Sequence, residues 1–366
     1  MKIHWNKQLY ALHRIVGLVV GCMLLLMSLT GSMLVFSDEI DHLQYAHAWH
    51  VTPQASPKPL QELLQQAQQS LPGKPYVYFM QLPQAADESA LLRADYSADN
   101  KMYLLVNPYS GQILQKFSNK SNFSSLLLYL HFTLLSGKTG AIIVLITAIG
   151  LFLTVLTGLF IYRKAIVKVL TFRMKLEWQH PGKRWRNLHR LLGVWALLFN
   201  LVISFTGFML ELKVLDSRKK ANTGYTAIPF NADYDALVAK ARTVIPGFKP
   251  IGLRPPRKAG DPLRIVGKGH ESAFWGKYSS SVFFDTSGKV TKKVDFSNAS
   301  FGDRFNACIS PLHYGNYGGI LLKIVYSFLA LTPGILSVSG FLIWYKRKKA
   351  HQLSSKNKQQ KMKMAA

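Results

Sequence analysis

Four histidines occupy matching places in two similar halves of the chain, and matched imidazoles are ligands for a metal ion or a haem. His13 and His189 each lie between a leucine and an arginine, 176 residues apart. His131 and His313 each follow a leucine ahead of another apolar segment. A single histidine at a helix end more often bonds a lipid headgroup or a backbone carbonyl. Four at equivalent positions indicate function, because ionisable residues near a membrane core usually face the interior of the helix bundle.

The segments that follow these histidines repeat one another in register. Aligned without a gap, the segment after His13 matches the segment after His189, and the segment after His131 matches the segment after His313. The matched pairs are Gly17 with Gly193, Ser28 with Ser204, Thr30-Gly31 with Thr206-Gly207, and Thr157-Gly158 with Ser339-Gly340. This pattern predicts an internal duplication whose unit is a histidine, a membrane helix, an outer domain, a second histidine and a second helix.

Apolar residues make up 49% of the chain and fall in four blocks of the length that a spanning helix needs, about 20 residues. The sequence therefore predicts a membrane protein with an all-α four-helix transmembrane core and two α+β lobes outside the membrane. The predicted divisions are a cytoplasmic start 1–14, first span 15–36, first outer lobe 37–130, entry and second span 131–162, cytoplasmic loop 163–190, third span 191–212, second outer lobe 213–312, entry and fourth span 313–345, and basic cytoplasmic tail 346–366.

The formal charge of +27 is concentrated in the short segments 1–14, 163–190 and 346–366. These contain 20 lysines and arginines against one acid, Glu177. The positive-inside rule makes their side cytoplasmic, with both termini inside, and the loop after the third span is long enough to cross the membrane despite its own basic residues. We interpret the basic tail as an anchor on an anionic membrane surface and expect no nucleic-acid partner.

Each outer segment combines a helix with short strands. The first has an amphipathic helix pattern at 60–67, and the second has one at 233–244 that ends at Pro246-Gly247. Strand patterns follow at 76–82, 91–96, 102–106 and 280–290, the last two with glycine turns. Two stretches, 254–262 and 267–278, have no clear counterpart in the first copy and are candidates for a specialised loop.

Counting the spans pairs the histidines by side of the membrane. His13 and His189 fall at the cytoplasmic face, and His131 and His313 fall at the outer face. Two neutral imidazoles on facing helices suit a six-coordinate haem. Zinc is the alternative, but a structural zinc site needs four ligands and each face offers two. The chain has no CxxC motif, which argues against attached c-type haem and iron–sulfur clusters.

Neighbouring residues fit a haem without requiring one. The glycines of the spans let a flat macrocycle approach, or equally let two helices pack closely. Arg14 and Arg190 suit haem propionates, or equally serve as positive-inside anchors. The 163–190 loop is too short for a flavin or nicotinamide domain, and the chain has no GxGxxG motif. Electrons would therefore come from another molecule.

The motifs resemble those of a known family of bacterial inner-membrane proteins, the PepSY-associated transmembrane proteins, many of them iron-regulated. The resemblance covers residues 8–350. Within the family, the chain resembles in particular the branch regarded as ferric-siderophore reductases. The resemblance is carried by the segments Leu12–Gly17 and Trp185–Gly193, the Ser/Thr-Gly pair of each span, and the PepSY-like Tyr103–Gly111. One departure is Asn107, which stands where such modules often have Asp before Pro, so no charge-dependent role is assigned to that turn.

The resemblance implies two b-type haems near the membrane interfaces, ligated by His13, His189, His131 and His313, with two PepSY-like periplasmic lobes. It implies an oxidoreductase of the inner membrane that reduces ferric iron in siderophores on the periplasmic side for iron uptake. The electron donor would be a quinol or a cytoplasmic reductase. Two alternatives remain open at this point: a non-enzymatic PepSY-type membrane protein that binds a periplasmic peptide or protein, and a cytochrome b subunit of another reductase.

Overall fold

A computed structural model describes residues 2–97, 99–174, 177, 179–220 and 232–364 of the chain. The chain divides into two compact units. The first unit comprises Met1–Val35, His131–Leu212 and Ile324–Ala366, and the second comprises Phe36–Leu130 and Lys213–Lys323. Each unit is therefore assembled from separate stretches of sequence.

The first unit is helical. Its long helices are α1 (Lys2–Leu34), α6 (Gly137–Leu170), α7 (Pro181–Trp195), α8 (Leu197–Lys220, whose end enters the second unit) and α12 (Thr332–Met364). Within the described residues, four stretches are long and apolar enough to cross a membrane: Trp5–Leu34, Gly137–Leu170, Leu197–Ser217 and Gly319–Asn357. These four stretches confirm the predicted membrane protein with four apolar helices. A helix suits lipid because it satisfies its backbone hydrogen-bonding groups internally.

The observed helices differ from the predicted spans at their ends. Three of the helices extend well into the flanking basic segments, because no proline or glycine cluster stops them there. The third predicted span, 191–212, is interrupted at Ala196, where α7 ends and α8 begins. The fourth, predicted within 313–345, is interrupted at Leu331, between α11 (Gly319–Ala330) and α12.

Small residues set the packing of the first unit. Helix α1 packs against both α6 and α12, and α7 packs against α12 and α6. A β-carbon at Gly150 would lie 2.7 Å from a methyl of Val20, so glycine is needed where α6 meets α1. At the break before α12, the Ser28 hydroxyl donates to the Ala330 carbonyl and accepts from the Gly334 amide at 3.1 Å. A side chain of α1 thereby satisfies backbone groups that the break releases.

The second unit is built around an antiparallel sheet. Its strands are β1 (Tyr76–Gln81), β2 (Ala90–Asp95), β3 (Lys101–Val106), β4 (Ile113–Ser118), β5 (Lys249–Arg254), β6 (Leu263–Lys268), β7 (Ser280–Phe284) and β8 (Val290–Val294). The order is β4-β3-β2-β1-β5-β6-β7-β8, so two four-stranded meanders meet at β1 and β5. The junction pairs Phe79 with Leu253. The two outer segments, each of which the sequence predicts as one α+β lobe, therefore contribute four strands each to a single sheet.

One face of the sheet carries the main core. Helices α4 (Leu60–Gln69) and α9 (Tyr234–Val244), one from each segment, pack there with the buried side chains of β1, β2, β5, β6 and β7. The other face carries a smaller cluster around Trp49. This residue is the last of α3 (Ala46–Trp49), the short helix that follows α2 (Ser37–Gln44). Helices α5 (Phe123–Thr133), α10 (Phe301–Tyr314) and α11 connect the sheet segments with the long helices.

The predicted elements of the outer segments agree with the observed helices α4 and α9 and with strands β1, β2, β3 and β7. Strands β5 and β6 are absent from the sequence prediction; in β5, Pro250 and Gly252 lower the strand signal. Residues 255–262 connect β5 to β6 just as residues 82–89 connect β1 to β2. The interpretation of 254–262 as a loop without a counterpart is therefore wrong, and Arg254 belongs to a strand.

Candidate functional site

The structure brings His13 of α1 next to His189 of α7. Their ring centroids are 6.2 Å apart and their ring planes are nearly perpendicular, at 86°. Both rings line one cavity of about 430 Å³ in the first unit, within the size range of small-molecule sites. Among the described residues, no third His, Cys, Asp or Glu joins them to form a group that could hold a metal ion alone.

The Nδ1 atom of His13 is held by α6. It lies 3.1 Å from the carbonyl oxygen of Thr154 and 3.0 Å from the hydroxyl of Thr157. The Thr157 hydroxyl donates its own proton to the Leu153 carbonyl at 2.7 Å. Because both neighbours of the ring act as acceptors, we assign the imidazole proton to Nδ1. The Nε2 atom then keeps a free lone pair for a ligand.

His189 has the same arrangement on the last span. Its Nδ1 atom lies 2.9 Å from the hydroxyl of Ser339, which donates to the Leu336 carbonyl at 3.1 Å. The ring therefore donates from Nδ1, and its Nε2 atom is the nitrogen available to bind. Hydrogen bonds of this kind fix the tautomer and orientation of metal-binding histidines.

Each of these hydroxyl residues is followed by a glycine that touches the same ring. A β-carbon at Gly158 would lie 3.5 Å from Cε1 of His13, and one at Gly340 would lie 3.4 Å from Cε1 of His189. Each Ser/Thr-Gly pair thus supplies a proton acceptor and a flat surface to one imidazole. The sequence shows that these pairs repeat, but which histidine each one contacts follows only from the helix packing.

His131 repeats the arrangement on a third pair of helices. Its Nδ1 atom lies 2.9 Å from the hydroxyl of Thr30, which donates to the Leu26 carbonyl at 2.8 Å. A β-carbon at Gly31 would lie 3.1 Å from Cε1 of the ring, so the contact is tight. The same reasoning assigns the imidazole proton of His131 to Nδ1.

His313 lies in the second unit, near the end of α10, and its ring meets Tyr314 edge to face at 5.9 Å. His131 belongs to the first unit. The structure thus brings together one of the two predicted histidine pairs within a single unit, and it describes the members of the other pair in separate units.

Cationic side chains surround one end of the His13/His189 cavity. Arg14, Arg190 and Arg347 line it together with Tyr10. The Nε atom of Arg190 is buried without a hydrogen-bond partner, and its guanidinium lies 5.3 Å from the centroid of the Tyr162 ring. Arg347 donates to the Tyr10 hydroxyl. Buried donors normally have acceptors, so this end of the cavity suits an anionic group.

Sequence reasoning missed several residues of this cavity. Tyr10 and Arg347 come from opposite ends of the chain, and no local motif marks them. Asn200, buried on α8, also lines the cavity and accepts from the Thr332 hydroxyl at 3.1 Å. A buried amide within an apolar segment is the signal that would have singled it out.

Comparison with known families gives one assignment that covers nearly the whole chain. Residues 10–347 match the family described as the PepSY-associated TM region. A comparison with curated proteins gave no match. The matched region includes all four spans, the sheet and the four histidines. The chain therefore belongs to the PepSY-associated TM region family.

Proposed function

We propose that this protein is a di-haem electron-transfer protein of the bacterial inner membrane that reduces ferric iron in siderophores on the periplasmic side. The observation that carries the proposal is the pair formed by His13 and His189, two imidazoles with free Nε2 atoms that face one cavity. His131 and His313 are the proposed ligands of the second haem. The internal duplication, with a PepSY-like half in each copy, is part of the same proposal.

The spacing of the His13 and His189 rings fits a haem. Because a metal–imidazole bond is about 2 Å long and the ring adds about 1 Å more, two imidazoles that shared one metal ion would have ring centroids about 6 Å apart. The observed separation is 6.2 Å. Gly17 and Gly193 line the same cavity without side chains, which leaves space for a flat macrocycle.

The cationic end of the cavity fits the propionates of a haem. Arg14, Arg190 and Arg347 would pair with the two carboxylates, and the buried Nε of Arg190 would gain the acceptor that it lacks. The alternative of plain topology anchors explains Arg14 equally well, but anchors project into solvent and do not place a buried donor against a cavity.

When bound, the haems would supply one-electron transfer between a donor, a quinol or a cytoplasmic reductase, and the ferric chelate. The chain's own residues prepare the sites. Thr157, Ser339 and Thr30 hold the three histidines in the tautomer that can ligate, and the apolar helices exclude water. Such groups tune the reduction potential of a site, whereas the electron chemistry belongs to the cofactor.

Two further observations support the rest of the proposal. The two meanders of the sheet follow the same order, and the His131 site repeats the hydroxyl and glycine contacts of the other two histidines, as expected for a duplicated unit. The basic residues of 1–14, 163–190 and 346–366 support a cytoplasmic location for these segments, by the positive-inside rule. The siderophore would then meet the protein at the other side.

The test is a reduced-minus-oxidised spectrum of the protein purified from haem-replete cells. We expect a b-type spectrum with about two haems per chain, and we expect His13→Ala and His189→Ala each to lose the same haem. His351→Ala, in the exposed part of α12, is the matched control and should keep both. A folded, colourless preparation would overturn the proposal and favour a peptide-binding role.

A second experiment separates direct reduction from a subunit role in another reductase. Dithionite-reduced protein is freed of reductant and mixed with ferric siderophores of several chemical types while the haem bands are followed. Reoxidation together with Fe(II) captured by ferrozine supports direct reduction. Haem bands that stay reduced with every chelate would instead assign the chain to a cytochrome subunit.

A further inference from the structure

The sheet face opposite the main core carries a row of arginines and aromatic rings. Arg93 on β2 lies directly opposite Tyr78 on β1. Arg254 on β5 lies directly opposite Arg264 on β6, and Arg264 faces Phe283 on β7. The intervening residues point to the core, so alternation along each strand places these side chains together on the second face.

In the first part of this row, two arginines share one acid. Asp95, only 3% exposed, accepts from Nε of Arg93 at 2.8 Å and from its Nη2 at 3.1 Å. Nη2 of Arg257 donates to the same carboxylate at 3.2 Å. Both carboxylate oxygens are therefore taken by these two arginines, and Asp95 cannot also neutralise their neighbours.

Arg254 and Arg264 lack such a partner. All 18 acidic residues of the chain lie within the described residues, and none of them forms an ion pair with either arginine there. The Nε atoms of both are buried without a hydrogen-bond partner. Like charges directly opposite on neighbouring strands repel. Burial, and then the charge of Arg254, lower the pKa of Arg264, yet a guanidinium does not lose its proton in a protein.

Aromatic rings hold these guanidiniums in place. Arg254 lies 5.6 Å from the centroid of the Tyr78 ring and 6.0 Å from that of Tyr278, and Arg264 lies 5.2 Å from that of Phe283. The Tyr278 hydroxyl donates to the Met80 carbonyl at 3.0 Å, which fixes this ring on the sheet. The two adjacent cations are thus preorganised before any ligand arrives.

We propose that Arg254 and Arg264 form a binding site for the carboxylate oxygens of a small organic anion. Two guanidiniums that project from directly opposite residues of neighbouring strands match carboxylates, which accept paired hydrogen bonds from a guanidinium fork. The anion would supply the negative charge that the chain itself does not place there. Its identification as an anionic ferric chelate rests on the proposed function, whereas anion binding does not.

Calorimetric titration of the full chain in lipid nanodiscs tests the site. The probes are citrate, ferric citrate and the neutral ferric tris(acetohydroxamate) complex. We expect the first two to bind and the third not to. Arg254→Gln and Arg264→Gln should weaken binding by about 10- to 100-fold, the range for losing a charge-assisted hydrogen bond. Lys268→Gln removes a charge from the same strand and should change the affinity by less than about twofold.

Thermal unfolding separates a binding role from a structural one. Without ligand, Arg264→Met should raise Tm by about 2–4 °C, because it removes an unpaired, partly buried charge. Citrate should raise the Tm of the natural chain and leave that of the variant unchanged. A lower Tm in Arg264→Met, or an equal loss of affinity in Lys268→Gln, would overturn the site.

The outcomes keep this site apart from the proposed function. Reduction of hydroxamate chelates by a protein that does not bind citrate would overturn the anion site and leave the electron-transfer function standing. Citrate binding that depends on Arg254 and Arg264 in a haem-free protein would support the anion site and overturn the electron-transfer function.

Discussion

Individual residues prepare the histidines by fixing where the imidazole proton lies. Thr157, Ser339 and Thr30 each use their own hydroxyl proton on a carbonyl one turn back, so the hydroxyl oxygen remains an acceptor for Nδ1 of a histidine. In an apolar helix, this local hydrogen bond also gives the hydroxyl proton an acceptor that it would otherwise lack. The same hydroxyl therefore serves the membrane helix and the ligand that lies beside it.

Replacing Ser339 by alanine should change the electronic properties of the proposed haem between His13 and His189. Without its acceptor, the His189 imidazole is a weaker electron donor, so we expect the midpoint potential to rise by up to about 60 mV, which corresponds to a tenfold change in a one-electron equilibrium. Spectroelectrochemical titration measures it. Ser337→Ala is the control, since Ser337 lines the cavity. An unchanged potential in Ser339→Ala, or an equal shift in the control, would contradict the assigned role.

Glu271 in the second unit should make stability depend on pH. Burial raises its pKa, but donation from Ser279 and Ser280, at 2.5 and 2.7 Å, outweighs burial and holds the pKa below its usual 4.5. Because the folded pKa is the lower one, this stabilisation is present above about pH 4.5 and is lost as the pH falls through the folded value.

We therefore expect Glu271→Gln to lower the free energy of unfolding by about 1–2 kcal/mol at pH 7. The difference from the natural chain should shrink below pH 4.5. Urea unfolding at a series of pH values measures it. Glu62→Gln, at an exposed ion pair with Lys58, should have little effect. A difference that stays constant with pH would contradict the prediction.

Individual elements show how one sheet joins two distant segments of sequence. Strands β1 and β5 meet through the pair Phe79 and Leu253, and the Leu82 amide donates to the Ile251 carbonyl at 2.7 Å beyond it. Both Phe79 and Leu253 are fully buried in the common core. Removing contacts at this junction should therefore loosen both meanders, which would not happen if each were a separate lobe.

Phe79→Ala should destabilise the second unit by about 3–5 kcal/mol, the usual loss for a buried phenylalanine. Hydrogen–deuterium exchange followed by mass spectrometry should show faster exchange in β2 and β3 and also in β6 and β7. Leu43→Ala, at a side chain that is 81% exposed, should leave exchange in all four strands unchanged. Faster exchange in the first meander alone would indicate two independent halves.

At the scale of the whole molecule, charge and hydropathy together predict how the chain lies in the membrane. The four apolar stretches make it a membrane protein. The 20 basic residues of the short segments are the reason to place both termini in the cytoplasm, because lysine and arginine near spans resist translocation. The sheet and the loop that carries Lys258 would then lie outside.

Labelling with a membrane-impermeant maleimide tests this orientation in a chain without its two cysteines, Cys22 and Cys308. Lys258→Cys should react in intact cells, and His351→Cys should react only after lysis. The reverse pattern would show that the basic segments lie outside. The control is the chain in which Cys22 and Cys308 are replaced and no new cysteine is added; it should take up no label.

Much of this molecule could be predicted from local patterns. A long apolar run determines a spanning helix wherever it lies, and a repeated motif shows matching positions without any contact being known. The four spans, the four histidines and most of the strands follow in this way. Pro250 and Gly252 weaken the local strand signal of β5, which is stabilised by its packing against β1 and β6.

The amino-acid sequence alone is enough to recognise a membrane protein with four spans, in which histidines recur at matching places. Three features became known from the folded structure: the two outer segments share one sheet, each Ser/Thr-Gly pair of three spans contacts a particular histidine, and Arg254 lies opposite Arg264. The reason is physical: hydropathy acts through the solvent around each segment, whereas these contacts depend on strand register and on the rotation of helices distant in sequence.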